Sequence, residues 1–377
     1  MQERRWIGLV ALLALVALVA AGCGGGEKSS GGGNEGGNKP AKTEKVTLQL
    51  KWVTQAQFAG YYAAKAQGFY KDEGLDVNIK VGGPDITPEQ VVLGKQAEFG
   101  IDWLPSLLSF RDKGNDLVNI AQVFTRSGMT ELTWKDSGIT SIKQMRSKRV
   151  GVWCCGNENE LYAALRKNGL EPKKDVDIVN QPFNMNLFLD RDVDAAAAMT
   201  YNELAQVLET KNPKTGKLYQ PSDLNVLKME NQGTGMLEDG IFVRGDWIKD
   251  KHNQDIARRF LRASFRGWVY CREHQEDCLQ IVLDNGPTLG EGHQRWQLNE
   301  INALIWPAPK GVGVMDAKAF NRTAKIAQDY KVISKPPSGA YRTDLATAAV
   351  NGLKNDGVDV NGTSWKKKTV KVTPGGA

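Results

Sequence analysis

The stretch Val46-Thr-Leu48-Gln-Leu50-Lys-Trp52 places an apolar side chain at every second position, and a helix-forming segment follows it at Gln57–Gly68. A period of two is typical of a strand with one buried face. Further strands are predicted at Leu75–Val81 and Ala97–Ile101. Between them Thr87-Pro88-Glu89 opens a helix, with proline at its first position. This order of elements predicts a parallel sheet covered by helices.

The same order begins again further along the chain. Arg149–Trp153 reads as a strand, Glu158–Asn168 as a helix and Ala195–Met199 as a buried strand. After Ile241–Val243, long amphipathic helices are predicted over Gln254–Leu283. Two units of this kind predict an α/β fold with two lobes that face a ligand cleft.

The predicted organisation places the chain crossings between the lobes near Val123–Thr133 and near Gln232–Phe242. About 330 residues remain after the N-terminal segment, which is enough for two well-filled cores. The predicted parts are a signal peptide at residues 1–22, a flexible tether at 23–44, lobe 1 at 45–125 and 236–345, lobe 2 at 126–235, and a C-terminal extension at 346–377.

The N-terminal residues have the pattern of a bacterial export signal. Arg4 and Arg5 precede the apolar run Trp6–Ala21, which is shorter than a membrane-spanning helix needs. Ala20-Ala21-Gly22-Cys23 then supplies small residues before a cysteine, and a Gly- and Ser-rich stretch follows. We expect lipid on Cys23 to hold the folded body at the outer face of the cell membrane. A plain secretory signal with an unmodified cysteine is the alternative.

Charge and cysteine usage argue against two classes of function. The net charge is only +6, and the cluster Lys366-Lys367-Lys368 has no interleaved aromatic residues, so no nucleic-acid partner is expected. Cys271 and Cys278 are candidates for a disulfide in an exported protein. Cys154 and Cys155 are adjacent, and the chain has no Cys-x-x-Cys, so no metal site is expected.

Large polar and aromatic residues collect at predicted strand ends, which is where α/β sheets bind ligands. Aromatic rings there can stack on a flat ligand, and amides and carboxylates can bind its polar edge. The alternatives are that the tryptophans fill the core, and that Asn157 and Glu158 cap a helix. The predicted ligand-binding residues are Trp52, Gln57, Tyr61, Asp102, Trp103, Trp153, Asn157, Glu158, Tyr201, Asn202, Glu203 and Glu238.

A family resemblance is carried by the same positions. Leu50-Lys-Trp52 and the following segment Gln57–Asp76 resemble the opening of solute-binding proteins related to yeast thiamine pyrimidine synthase. The resemblance continues through Gly100-Ile-Asp-Trp103, Val150-Gly-Val-Trp153 and Met199-Thr-Tyr-Asn-Glu203, and it is fainter after Phe242. It is nearest to the riboflavin and formylaminopyrimidine binders.

The resemblance implies a fold, a ligand class and partners. Such proteins have the two-lobed fold of type II periplasmic binding proteins, whose lobes close on the ligand. They are lipoproteins of ABC importers, so the implied partners are a permease and an ATPase. The implied ligand is a thiamine pyrimidine precursor or riboflavin, and no cofactor is expected.

Two other functions are weighed against this one. In the synthase a lysine that binds pyridoxal phosphate stands where this chain has Asp102, and a histidine stands where it has Ser106. Gly235–Asp239 replaces the cysteine-rich run of the synthase, so we expect no enzyme activity. Related proteins also bind sulfonates or nitrate, but the carboxylates at these strand ends would repel an anion.

Overall fold

The computed structural model describes residues 43–377, and these residues form two five-stranded α/β sheets. The predicted signal peptide, Cys23 and nearly all of the predicted tether lie outside the described residues. The strands are β1 (Glu44–Gln49), β2 (Leu75–Lys80), β3 (Phe99–Trp103), β4 (Leu117–Gln122), β5 (Met129–Trp134), β6 (Arg149–Val152), β7 (Asp177–Asn180), β8 (Ala195–Met199), β9 (Leu224–Lys228) and β10 (Asp239–Arg244).

Helices cover both sheets. They are α1 (Ala59–Ala66), α2 (Phe69–Asp72), α3 (Pro88–Leu93), α4 (Leu104–Asp112), α5 (Asn159–Lys167), α6 (Asn186–Leu189), α7 (Glu203–Leu208), α8 (Met229–Gln232), α9 (Lys251–Glu273), α10 (Gln275–Asn285), α11 (Glu291–Ile305), α12 (Ala317–Asp329) and α13 (Asp344–Asn355). In this part of the chain, no helix combines the length and the apolar character needed to cross a membrane.

The two sheets have the same topology. The first runs β2-β1-β3-β10-β4 and the second β7-β6-β8-β5-β9. Each has three neighbouring parallel strands followed by an antiparallel one, which is β10 in the first sheet and β5 in the second. We call the first sheet with its helices lobe 1 and the second lobe 2. The predicted α/β fold with two lobes is thereby confirmed.

Two segments that connect strands cross between the lobes. Residues 123–128 join β4 to β5, and residues 229–238 join β9 to β10. Each crossing is followed directly by the antiparallel strand of the lobe that it enters. The predicted boundary at residue 345 falls inside α13, which packs against α9 of lobe 1. Residues 346–355 are therefore part of the lobe 1 helical layer.

Local sequence explains where the strands end. β1 stops at Gln49, because the chain turns away after Leu50, so Trp52 lies in the following loop and not in the strand as expected. Asp102 and Trp103 are the last residues of β3, and Leu104-Pro105 begins α4 with proline near its N-terminus. The predicted helix at Gln57–Gly68 is a 3₁₀ turn at Ala56–Phe58 followed by α1.

Candidate ligand cleft

A narrow cavity lies between the two lobes. Its walls come from segments that follow the carboxyl ends of β1, β3, β6 and β8, where α/β sheets usually bind ligands. Lobe 1 contributes Lys51, Trp52, Gln55, Gln57 and Trp103, and lobe 2 contributes Trp153, Asn157, Met199, Tyr201, Asn202 and Glu203.

Aromatic rings from opposite lobes meet in this cleft. The ring centroids of Trp52 and Trp153 are 6.3 Å apart with planes at 71°, an edge-to-face contact between the lobes. Indole Nε1 of Trp153 donates to the backbone oxygen of Pro182 at 3.1 Å, which orients the ring. Tyr201 makes a similar edge contact with Phe124, at 6.3 Å. The rings are thus held by partners around them and present apolar surface to the cleft.

The polar wall of lobe 1 is built on a buried ion pair. The Lys51 ammonium binds Asp102 Oδ1, and both side chains are almost fully buried. The same ammonium lies 4.8 Å from the Trp103 ring centroid, within the range of a cation–π contact. Asp102 therefore faces Lys51, and Lys51 and Trp103 form the cavity wall.

Asp239 supports the same wall from the first residue of β10. Gln57 Nε2 donates to Asp239 Oδ2 at 2.9 Å, and Gln55 Nε2 donates to Gln57 Oε1 at 2.7 Å. Burial raises the pKa of the Asp239 carboxyl to about 7, although the Gln57 hydrogen bond lowers it. The neighbouring Trp103 side chain also lowers the pKa of Asp239, although within residues 43–377 neither Trp103 Nε1 nor Asp239 Oδ1 makes a hydrogen bond of normal geometry.

The polar wall of lobe 2 centres on Glu203, the first residue of α7. Its carboxylate accepts from the Met199 backbone N–H at 2.9 Å and from Asn202 Nδ2 at 2.7 Å. Burial raises the pKa of Glu203 to about 7, against these hydrogen bonds and the nearby His293. Near neutral pH this carboxyl can therefore donate a hydrogen bond when protonated and accept one when ionised. Both states suit a ligand edge that carries donors and acceptors.

Most of the predicted site residues come together here. The cavity wall contains Trp52, Gln57, Trp103, Trp153, Asn157, Tyr201, Asn202 and Glu203. Four others lie elsewhere, namely Tyr61, Asp102, Glu158 and Glu238.

Asp102 binds Lys51, as described above, and each of the other three has a different partner. Tyr61 packs edge-on against Trp268 inside lobe 1, at 5.5 Å. Glu158 accepts from the Gly156 backbone N–H at 2.9 Å, so it braces its own loop. Glu238 accepts from the N–H groups of Gly128 and Met129, at 2.6 and 3.1 Å, and joins the two crossings.

Sequence reasoning did not select Lys51, Gln55 and Met199 as ligand residues. Lys51 and Gln55 flank Trp52 in the loop after β1, and Met199 ends β8 just before Tyr201. Their closeness in sequence to chosen residues was the available signal. Their side-chain chemistry alone did not point to a heteroaromatic ligand.

The four cysteines within residues 43–377 are paired as two disulfides. Cys154 is bonded to Cys155 in the exposed turn after Trp153, and Cys271 to Cys278 where α9 meets α10. Across residues 43–377, no three His, Cys, Asp or Glu side chains are grouped so as to hold a metal ion.

Comparison with known proteins places this cleft in a family. The family model described as NMT1/THI5 like matches residues 55–278. Riboflavin-binding protein RibY of Chloroflexus aurantiacus is 24% identical over 315 residues, covering 79% of this chain and 84% of RibY. A second relative is the 4-amino-5-hydroxymethyl-2-methylpyrimidine phosphate synthase THI11 of Saccharomyces cerevisiae. It is 22% identical over 253 residues, which cover 66% of this chain and 73% of THI11.

A solved structure shows the same fold. The alkanesulfonate-binding protein SsuA from Xanthomonas axonopodis pv. citri, bound to MOPS, matches with a TM-score of 0.60 and 15% identity. The match covers 80% of this chain and 99% of SsuA. The solved structures show that the protein has the two-lobed fold of periplasmic binding proteins. The family model matches more than half of the 377 residues of this chain, so the protein belongs to the NMT1/THI5 like family.

Proposed function

We propose that this protein is the solute-binding lipoprotein of an ABC importer and that it captures a flat nitrogen heteroaromatic vitamin or vitamin precursor. The observation that carries the proposal is the convergence of Trp52, Trp103, Trp153 and Tyr201 from both lobes on one cavity with polar walls. Aromatic faces hold a planar ring, and the amides and carboxyl around them select its substituents.

The geometry supports binding without bond chemistry. We expect the ligand ring to lie between Trp52 or Trp103 of lobe 1 and Trp153 or Tyr201 of lobe 2. The side chains of Gln57, Asn202 and Glu203 would then bind its polar edge. A ligand that contacts both lobes favours the closed conformation by differential affinity. The importer's permease would then bind the closed conformation in preference to the open one.

The size of the cavity bears on the choice of ligand. The free volume of the cavity is about 20 Å³, roughly the space that one water molecule needs. A single-ring pyrimidine precursor of thiamine would therefore require the lobes to separate before it could enter. Riboflavin, with three fused rings and a ribityl chain, would require Trp52 and Trp153 to separate further. Similarity to RibY supports riboflavin, so both ligands are part of the proposal.

Two competing functions fit the cleft less well. A sulfonate or nitrate needs a free cationic site, but Lys51 is the cationic residue of the cavity wall and is already paired with Asp102. The buried Glu203 on the opposite wall disfavours an anion. The synthase chemistry that the resemblance implies needs a lysine at position 102, where the carboxylate of Asp102 instead binds Lys51.

The location follows from the N-terminal pattern. We propose that lipid on Cys23 anchors the protein to the extracytoplasmic face of the cell membrane. Metabolic labelling with a radiolabelled fatty acid should mark the wild-type chain and not a Cys23→Ala variant. Release of Cys23→Ala into the medium is the accompanying result.

A ligand panel tests the function. Thermal shift and tryptophan fluorescence would be measured with riboflavin, formylaminopyrimidine, thiamine, taurine, nitrate and pyridoxal phosphate. A ligand at 100 times its Kd adds about 2.7 kcal/mol to the free energy of unfolding. We expect a response to formylaminopyrimidine or riboflavin and none to taurine or nitrate. Stabilisation by taurine or nitrate alone would overturn the proposal.

A further inference from the structure

The last residues of the chain run from lobe 1 onto lobe 2. We call Lys366–Ala377 the tail. Asn299 of α11 exchanges two hydrogen bonds with the Lys368 backbone, at 2.8 and 3.0 Å, and Lys367 pairs with Glu300. Further along, Val372 packs against the apolar cluster of lobe 2, and the Gly375 N–H donates to the Glu209 backbone oxygen at 2.9 Å. The tail is therefore bound at both ends.

Glycines form the seat on which the tail lies. A Cβ on Gly290, the residue before α11, would overlap the Gly376 backbone oxygen. A Cβ on Gly292 would overlap Thr373 Oγ1 and lie 2.7 Å from the Ala377 oxygen. Gly290 has φ −74° and ψ 126°, which any residue adopts, so its own backbone does not require glycine. The absence of a side chain there serves the contact with the tail.

The helix beneath the tail touches both walls of the cavity. On the lobe 1 side, Gln294 Oε1 accepts from the Ala56 N–H at 2.7 Å and Gln297 Oε1 accepts from the Gln57 N–H at 3.2 Å. On the lobe 2 side, Trp296 Nε1 donates to the Thr200 backbone oxygen at 3.0 Å. α11 therefore bridges the loop that carries Gln57 and the loop that carries Tyr201.

His293 connects the tail seat to a cavity residue. Its Nδ1 lies 2.9 Å from Glu209 Oε2, and its Nε2 lies 2.8 Å from Asn202 Oδ1. Asn202 in turn donates to Glu203 through Nδ2. His293 itself is not part of the cavity wall. It holds the Asn202 amide oxygen, and thereby directs the amide nitrogen toward Glu203.

We propose that the tail and α11 form a clasp that positions the lobe 2 wall of the ligand site and favours the closed conformation. His293 is the positioning residue of this clasp, and it acts through Asn202. The role in ligand binding rests on the proposed function. The role in closure is independent of the proposed function, because α11 and the tail contact residues 200–209 without any ligand. Opening the lobes must break either these contacts or those to residues 56–57.

Variants of the seat and of His293 test the clasp. Gly290→Ala blocks the tail while leaving the cavity residues in place, and deletion of residues 369–377 removes the tail contacts to lobe 2. His293→Ala removes the link to Asn202, whereas His293→Gln keeps a donor toward it. Lys371→Ala, an exposed change within the tail, is the matched control.

The first readout needs no ligand. Amide hydrogen exchange of residues 199–209 should quicken about tenfold in Gly290→Ala, the deletion and His293→Ala, with β1 and β3 unchanged. Small-angle scattering should show a larger radius of gyration. His293→Gln should lie near the wild type, as should Lys371→Ala. Unchanged exchange at 199–209 in Gly290→Ala and His293→Ala would overturn the clasp, even if the deletion fails to fold.

The second readout is affinity, with riboflavin and formylaminopyrimidine as the probes. We expect Kd to rise about tenfold in Gly290→Ala and His293→Ala, and to recover in His293→Gln. If neither probe binds the wild type while exchange responds as stated, the proposed function fails and the clasp stands. If a probe binds all variants equally, the clasp has no part in ligand binding and that part of the proposal is wrong.

Discussion

Trp153 lies where the two lobes approach each other, with its ring edge-to-face against Trp52 and its indole nitrogen bound to Pro182. This residue directly follows β6, the first parallel strand of lobe 2, and contributes apolar surface to the cavity. A ligand ring that enters the cleft must replace part of the contact between the Trp52 and Trp153 indoles with contacts of its own. Stacking on Trp153 is therefore the residue-level requirement of the proposed function.

Truncation of that ring should reduce affinity. Trp153→Ala should weaken binding of the active panel ligand by about 2–4 kcal/mol, because a large aromatic contact is lost. Trp153→Phe, which keeps a ring, should lose less. Titration calorimetry on variants whose folding is checked by circular dichroism measures the difference. Unchanged affinity in a folded Trp153→Ala protein would remove Trp153 from the site.

Glu203 makes stability depend on pH at the same site. Burial raises its pKa from 4.5 to about 7, so the folded protein keeps a proton that the unfolded chain releases. The contribution of that proton to stability is fully present below about pH 4.5 and is lost as the pH rises through about 7. At about 1.4 kcal/mol per pKa unit, the loss is roughly 3 kcal/mol.

The Glu203→Gln variant should therefore have a flatter pH profile. Urea unfolding at pH 5, 6, 7 and 8 should show the wild type losing more free energy of unfolding across this range than the variant. Asp76→Asn, at an exposed position of β2, should follow the wild-type profile. Parallel profiles for wild type and Glu203→Gln would show that this carboxyl does not carry the dependence.

At the scale of elements, the contact between α1 and α9 sets the position of the loop that carries Gln55 and Gln57. Gly60 and Gly267 face each other across it, and a Cβ on Gly60 would overlap the Trp268 ring. The same close approach turns Tyr61 onto Trp268 and away from the cleft. The helices can approach this closely because neither carries a side chain at the crossing point.

A methyl group at this crossing should force the helices apart. Gly60→Ala should lower the free energy of unfolding by about 1–3 kcal/mol through overpacking, and it should weaken ligand binding by displacing Gln57. Gly83→Ala is the control, because a Cβ there has no heavy atom within 4 Å. Chemical unfolding of the two variants gives the comparison, and equal losses would contradict this account.

At the scale of the whole molecule, the two lobes are joined by two crossings that are hydrogen-bonded to each other. Glu238 in the second crossing accepts from Gly128 and Met129 at the end of the first, and its backbone oxygen accepts from Gln122. The carboxyl is fully buried, and burial together with the nearby Glu160 raises its pKa well above the ordinary value. The relative movement of the lobes is constrained at this point.

Substitution of Glu238 should therefore affect stability without removing a ligand contact. Glu238→Ala leaves buried N–H groups unpaired and should cost about 1–3 kcal/mol of unfolding free energy. Glu238→Gln retains an acceptor and should cost less. Unfolding and ligand titration of both variants separate the two roles. Normal stability with greatly reduced affinity in Glu238→Gln would indicate that Glu238 contacts the ligand.

The α/β class, the two lobes and the family could be predicted from sequence, because alternating strands, helix starts and strand-end motifs are local patterns. Trp52, Trp103 and Trp153 could be chosen for the cleft because each follows or ends a parallel strand, and such ends share one edge of a sheet. The tertiary structure alone decided that Tyr61 packs on Trp268, that Asp102 binds Lys51 and that Glu238 links the crossings. Only packing brought His293 to Asn202 and the tail to Glu209, since helix rotation and contacts between distant segments are not encoded in any local pattern.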